Sequence, residues 1–191
     1  MSAAEIILVA GLGRCGTSLM MQMLSAGGVP CIGAAPSFED SDHNALRRTD
    51  PGAWVAAAAG HAVKVLNPHS EPIPAGPSYR TLFMFREWAD QARSTLKVVG
   101  VDQRRGNRKR VERQLKDDTD RASAAMHDAG ATNWQIVPFD CLLLRPRETA
   151  GLVGRFLQRD LDIEAMVACV VARPPECLPY LLELSMLSAA A

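Results

Sequence analysis

Residues 5–18 read EIILVAGLGRCGTS, and the helix-forming stretch TSLMMQMLSA follows from residue 17. The run at 5–10 is apolar on both faces, which predicts a strand covered from both sides, as in a parallel sheet. Leucines and methionines at 17–26 predict a helix, stopped by Gly27 and Gly28. A strand that breaks on glycines and restarts as a helix leaves the first N–H groups of that helix without internal partners. Those groups converge on one point at the strand's C-terminal end, where they form a cradle for phosphate. This layout confines the chain to α/β architectures.

The rest of the sequence alternates in the same way. Strands are predicted at 61–66 (HAVKVL), 79–85 (YRTLFMF) and within NWQIVPF at 133–139. Helices are predicted over REWADQARSTL, from residue 108 onward in a strongly basic segment with cross-turn ion pairs, and over PRETAGLVGRFL and DIEAMVACVV. Residues 34–53, with Pro36 and Pro51, read as a mobile loop holding at most one helical turn. Strand–helix alternation predicts a three-layer α/β domain, P-loop NTPase-like, with a mainly parallel central sheet of four to five strands. The length of 191 residues suits a single domain, 1–191.

Charge narrows the partners. Twenty-one basic and 21 acidic side chains cancel, so no global field recruits nucleic acid or an anionic membrane, and any anion site is local. No run reaches the roughly 18 apolar residues a membrane helix needs. Cys15, Cys31, Cys141, Cys169 and Cys177 are odd in number and never spaced as CxxC, which argues against a zinc site or a disulfide framework. A reducing, cytoplasmic setting is the expectation. The tail CLPYLLELSML is apolar nearly all round, and its 178–187 stretch suggests packing within the domain or against a second copy.

Three rulebooks compete for the loop. Gly11, Gly13 and Gly16 satisfy GxGxxG, but the dinucleotide version needs an acid at the end of the next strand. Here Glu39 and Asp40 fall late, in the presumed loop. Gly11 and Gly16 also have Walker A spacing, but Thr17 stands where the lysine belongs, and the third strand ends in Arg86 rather than a magnesium-holding acid. A kinase or NTPase would have to replace both parts.

The third pattern fits most of the letters. GRCGTSLM resembles the 5′-phosphosulfate loop of the sulfotransferase superfamily, usually P-(K/R)-(S/T)-G-T-(S/T). RTLFMFREWADQARS resembles that superfamily's 3′-phosphate motif, an Arg at a strand end followed eight residues later by a Ser. LMMQMLSAGGVP, AVKVL and PRETAGLVGRFL extend the likeness to short bacterial members over most of the chain. The resemblance implies that Gly13, Arg14, Cys15, Gly16, Thr17 and Ser18 hold a 5′-phosphosulfate, with Arg86 and Ser94 on the 3′-phosphate. The donor would be 3′-phosphoadenosine-5′-phosphosulfate (PAPS), the product 3′,5′-ADP, and no metal is required. Gly13 replaces the usual Pro, and Cys15 replaces a hydroxyl donor with a weaker one. The RKGxxG segment of the larger animal enzymes is absent; RRGNRKR at 104–110 is either a lid or a solvated helix start.

On this reading the reaction is in-line transfer of a sulfuryl group to a hydroxyl or amine acceptor, with Arg14 and Lys64 as cations for the developing charge. Lys64 could equally be a strand-end lysine snorkelling to solvent. His69, in the NPHSEP loop beside Glu71, is the candidate general base; His43, His61 and His127 are less well placed. Loops 34–55 and 67–78 are expected to shape the acceptor pocket. The alternatives are a non-catalytic nucleotide-binding protein on the same fold and a P-loop kinase or NTPase.

Overall fold

A computed structural model describes residues 5–170. The apolar tail and Cys177 lie outside the described residues. Four strands form one sheet: β1 (Ile6–Gly11), β2 (Ala62–Leu66), β3 (Tyr79–Phe85) and β4 (Trp134–Pro138). Their order is β2-β1-β3-β4 and every pairing is parallel. Eight helices accompany them: α1 (Thr17–Ala26), α2 (Ser41–Thr49), α3 (Pro51–Ala58), α4 (Trp88–Val98), α5 (Arg105–Asp128), α6 (Phe139–Leu144), α7 (Pro146–Leu157) and α8 (Ile163–Ala168).

All six residues of β1 are buried, as a central strand demands. Ile7 and Val9, with Leu82 and Met84 of β3, pack against Met20 and Leu24 of α1, Leu142 of α6, Val153 of α7 and Met166 of α8. The alternate residues Ile6, Leu8 and Ala10, with Val63, Val65 and Phe83, pack on the other face against Trp54 of α3, Ala92 of α4 and Met126 of α5. The domain therefore has helix, sheet and helix layers, as expected. The open edge strand β4 is the exception to full burial, with Ile136 more than half exposed. No helix among the described residues is long and apolar enough to cross a membrane.

Residues 34–53 depart from the expected loop, because α2 and α3 occupy most of 41–58. Asp40 caps α2 by accepting from the His43 N–H at 2.8 Å, and Asp50 caps α3 by accepting from the Ala53 N–H at 3.0 Å. Pro51 opens α3 instead of breaking a helix, since an N1 proline forfeits only an N–H that has no internal partner. The basic segment at 104–110 is the solvated start of α5, with Arg104 at its N-cap and the helix beginning three residues ahead of 108.

The topology places the site. From β1 the chain steps to β2 on one side, then crosses to β3 on the other. The segments leaving β1 and β3 therefore diverge to opposite faces, α1 below one and α4 below the other. The crevice between such strands, outside their C-terminal ends, is where open α/β sheets take ligands.

Candidate phosphate loop and active site

The loop between β1 and α1 is held in one shape by close approach. A Cβ on Gly11 would lie 2.6 Å from Cys15 Sγ and 2.8 Å from the Met84 carbonyl oxygen. A Cβ on Gly16 would lie 2.4 Å from the Phe139 ring, and Gly16 has φ 100°, a region that favours glycine. Arg14 adopts φ 71°, also left-handed, which turns the chain between these two glycines. Gly13 is different: its φ is ordinary and a Cβ there would meet nothing within 4 Å.

Hydrogen bonds from three other segments tie the loop down. The Asn67 N–H donates to the Gly11 carbonyl at 2.9 Å, and Gly13 N–H donates to Asn67 Oδ1 at 3.1 Å. Gln91 Nε2 donates to the Gly13 carbonyl at 2.7 Å, and Arg86 Nη1 donates to the Arg14 carbonyl at 3.3 Å. Asn67 has φ 47°, which asparagine tolerates better than most residues. Helix α1 begins at Thr17 with no side-chain cap and no acidic residue in its first turn. Helices α2, α3 and α8, by contrast, each carry an aspartate cap. Its positive end and its orphan N–H groups thus face the crevice.

Cations converge on the same place. Arg14 Nε donates to Ser94 Oγ at 3.3 Å, so the two motifs separated by 80 residues meet directly. Arg86 is buried with its guanidinium 4.7 Å from the centroid of the Phe139 ring. Lys64 lies in register with Val9 and points to the α1 face. Its ammonium donates to Ser18 Oγ and the Ser37 carbonyl, both at 2.9 Å, and to Glu39 Oε1 at 2.6 Å. It is 4% exposed, which rules out snorkelling. Burial pushes its pKa down, and the Glu39 hydrogen bond pulls in the opposite direction. Burial also lowers that of Arg86, with Asp90 opposing it. A cavity of about 160 Å³ is lined by Arg14, Thr17, Ser18, Lys64, Arg86 and Glu39, with Leu19, Leu66 and Phe139 as apolar wall.

Three of the expected residues do not line the cavity, and Ser94, the first, is buried where Arg14 reaches it. His69 faces α5, where its Nε2 lies 3.6 Å from Asp118 Oδ1, and it does not line the cavity. Glu39, in the segment before α2, stands on the cavity wall instead. The Cys15 thiol points into the core rather than toward the crevice, and burial pushes its pKa up to about 12. It is packing, and not a nucleophile at neutral pH. Asn67, Gln91 and Phe139 have no motif of their own, because each acts on the loop from a distant segment. The one local signal was an asparagine directly after a strand, a residue type suited to a left-handed turn.

This layout is that of a P-loop-like α/β protein with a crevice at the end of β1 lined by Arg14, Lys64 and Arg86. Solved structures narrow it to a sulfotransferase-like fold. The sulfotransferase domain of the Synechococcus olefin synthase matches with a TM-score of 0.56 at 14% identity, covering 92% of this chain and 80% of that one. A sulfotransferase from Mycobacterium avium matches with a TM-score of 0.52 at 11% identity, covering 88% and 67%. Retinol dehydratase, solved with androsterone and the inactive cofactor PAP, matches with a TM-score of 0.50 at 13% identity, covering 88% and 64%. No family model and no curated relative matches the chain.

Proposed function

We propose that the protein transfers a sulfuryl group from PAPS to a hydroxyl-bearing acceptor. The observation that carries this reading is the direct contact of Arg14 with Ser94, with Arg86 holding the Arg14 carbonyl. It joins the loop suited to a 5′-phosphosulfate to the strand-end pair suited to a 3′-phosphate. The fold is shared with sulfotransferases, one of them solved with PAP. Bound there, the donor supplies an activated sulfuryl group with a phosphate as its leaving group.

The chain's own residues divide the work. The uncapped N–H groups of Thr17 and Ser18, with their hydroxyls, bind a terminal phosphate. Arg14 and Lys64 stabilise charge on the leaving oxygen, in a site preorganised by the bonds described above. Glu39 sits on the cavity wall beside Lys64 and is the carboxylate placed to accept the proton of an acceptor hydroxyl. Leu19, Leu66 and Phe139 exclude water from one side.

The test is transfer of labelled sulfate from PAPS to a panel of alcohols and amines. Arg14→Ala should cut transfer by about 100-fold, while 3′,5′-ADP, which lacks the sulfuryl group, should lose less than about tenfold in affinity. Glu39→Gln should lower turnover with little change in 3′,5′-ADP binding. Equal losses in both assays for Arg14→Ala would reduce Arg14 to a structural contact and remove its catalytic role.

A further inference from the structure

A second cavity adjoins the first. It has a volume of about 250 Å³ and shares Glu39, Lys64 and Leu66 with the phosphate cavity. Its remaining walls are Asn44 and Arg47 of α2 and Asn67, Ser70 and Glu71 of the segment after β2. Leu66 is the one apolar side chain among them. An aromatic or steroid acceptor would strip water from these polar groups without replacing their hydrogen bonds, and that is unfavourable.

The charges in this cavity are already matched. Glu71 accepts from Arg47 Nη2 at 2.7 Å and also pairs with Arg48, while Glu39 pairs with Lys64. No carboxylate on this wall is left over for an ammonium, and no cation for a carboxylate ligand. What it offers is neutral. The Asn44 amide and the Ser70 hydroxyl make no side-chain hydrogen bond among the described residues. Asn67 uses Oδ1 on the Gly13 N–H and keeps its NH₂ for a ligand. Amide and hydroxyl groups arranged around a small cavity match several hydroxyls on one ring, each able both to donate and to accept.

From this wall we infer that the acceptor is an uncharged, polyhydroxylated ring of sugar type, held by Asn44, Asn67 and Ser70 with one hydroxyl presented to Glu39. The identification of this ligand as an acceptor rests on the transfer reading above. In the transfer the hydroxyl oxygen forms a bond to sulfur, the sulfur–oxygen bond to the donor phosphate breaks, and the hydroxyl proton passes to Glu39. The products are a sulfate monoester and 3′,5′-ADP.

Ligand-observed NMR with methyl glucoside and with phenol tests it on the full chain, alongside calorimetry with 3′,5′-ADP. Saturation transfer to methyl glucoside should exceed that to phenol, and fall about tenfold in Asn44→Leu and in Ser70→Val, as expected for the loss of one hydrogen bond to the ligand. Affinity for 3′,5′-ADP should be unchanged in both variants. Ser70 is exposed on a loop, so its substitution leaves folding intact if Asn44→Leu does not. Phenol binding as strongly as the glucoside, or glucoside binding indifferent to both substitutions, would overturn the inference. If the wild type fails to bind 3′,5′-ADP while glucoside binding still depends on Asn44, the donor reading falls and the polyol site stands. If 3′,5′-ADP binds and the glucoside does not, the polyol site falls alone.

Discussion

The two walls of the crevice are built by different physics. On the side proposed for the donor, between β1 and α1, shape comes from the backbone: Gly11 and Gly16 lie where no side chain fits, and Asn67, Gln91 and Arg86 bind the loop's N–H and carbonyl groups. On the side proposed for the acceptor, residues 39–71, shape comes from ion pairs between side chains, Glu39 with Lys64 and Glu71 with Arg47 and Arg48. A wall made of backbone holds one geometry and suits a ligand that never changes. A wall whose buried cations Lys64 and Arg47 face partly exposed carboxylates can vary on the carboxylate side, and suits a variable acceptor.

Substitutions should separate the walls in order of effect. Gly16→Ala places a Cβ 2.4 Å from the Phe139 ring at φ 100°. Strain and overpacking together should destabilise the fold by roughly 2–4 kcal/mol, read by urea denaturation, and 3′,5′-ADP binding should vanish with the loop geometry. Glu71→Gln leaves the Arg47 guanidinium buried beside a neutral amide. Because Glu71 is itself partly exposed, the cost should be about 1–3 kcal/mol, with 3′,5′-ADP affinity retained. That retention would sharpen the contrast; its loss would break it.

Smaller still is a pH effect confined to the donor side. Burial raises the folded-state pKa of Cys15 from 9.0 to about 12. The folded chain therefore keeps a proton that the unfolded chain loses, and this stabilisation is complete below pH 9 and lost as pH rises toward 12. At pH 10 the wild type should have lost about 1 kcal/mol more stability, relative to pH 8, than Cys15→Ala. At the end of the scale, Gly13→Ala should change stability by less than about 0.5 kcal/mol, because a Cβ there meets nothing. A Gly13→Ala loss as large as that of Gly16→Ala would mean that the loop is not held as described.

This contrast also explains what could be read in the sequence. Strand β3 falls on its expected bounds, and α1 likewise, because β3 is a largely apolar run and α1 is bounded by Gly16 and Gly27. The donor loop was legible for the same reason, since its spacing is written in eight consecutive residues. The second wall was legible only as segments: 34–55 and 67–78 do supply most of it, but not by residues that stand out in the sequence. Glu39 matters because Lys64, 25 residues away, reaches it, and Glu71 because Arg47 does; neither relation has a local signature. Helices α2 and α3 were obscured by Pro51, whose effect depends on its falling at N1. His69 drew attention as an isolated imidazole near the right strand, but a partner on α5 turns it away from the crevice.

The central claim is that the crevice holds a 5′-phosphate and a separate 3′-phosphate at once, and calorimetric titration with 3′,5′-ADP against 5′-ADP tests it most directly. A preference of about tenfold or more for the 3′-phosphorylated ligand is expected, the worth of one charge-assisted contact, with the preference lost in Arg86→Ala. Since Arg86 also holds the Arg14 carbonyl, the ratio of the two affinities is the quantity to read rather than either alone. Equal affinities in the wild type, or a preference that survives Arg86→Ala, would contradict the account.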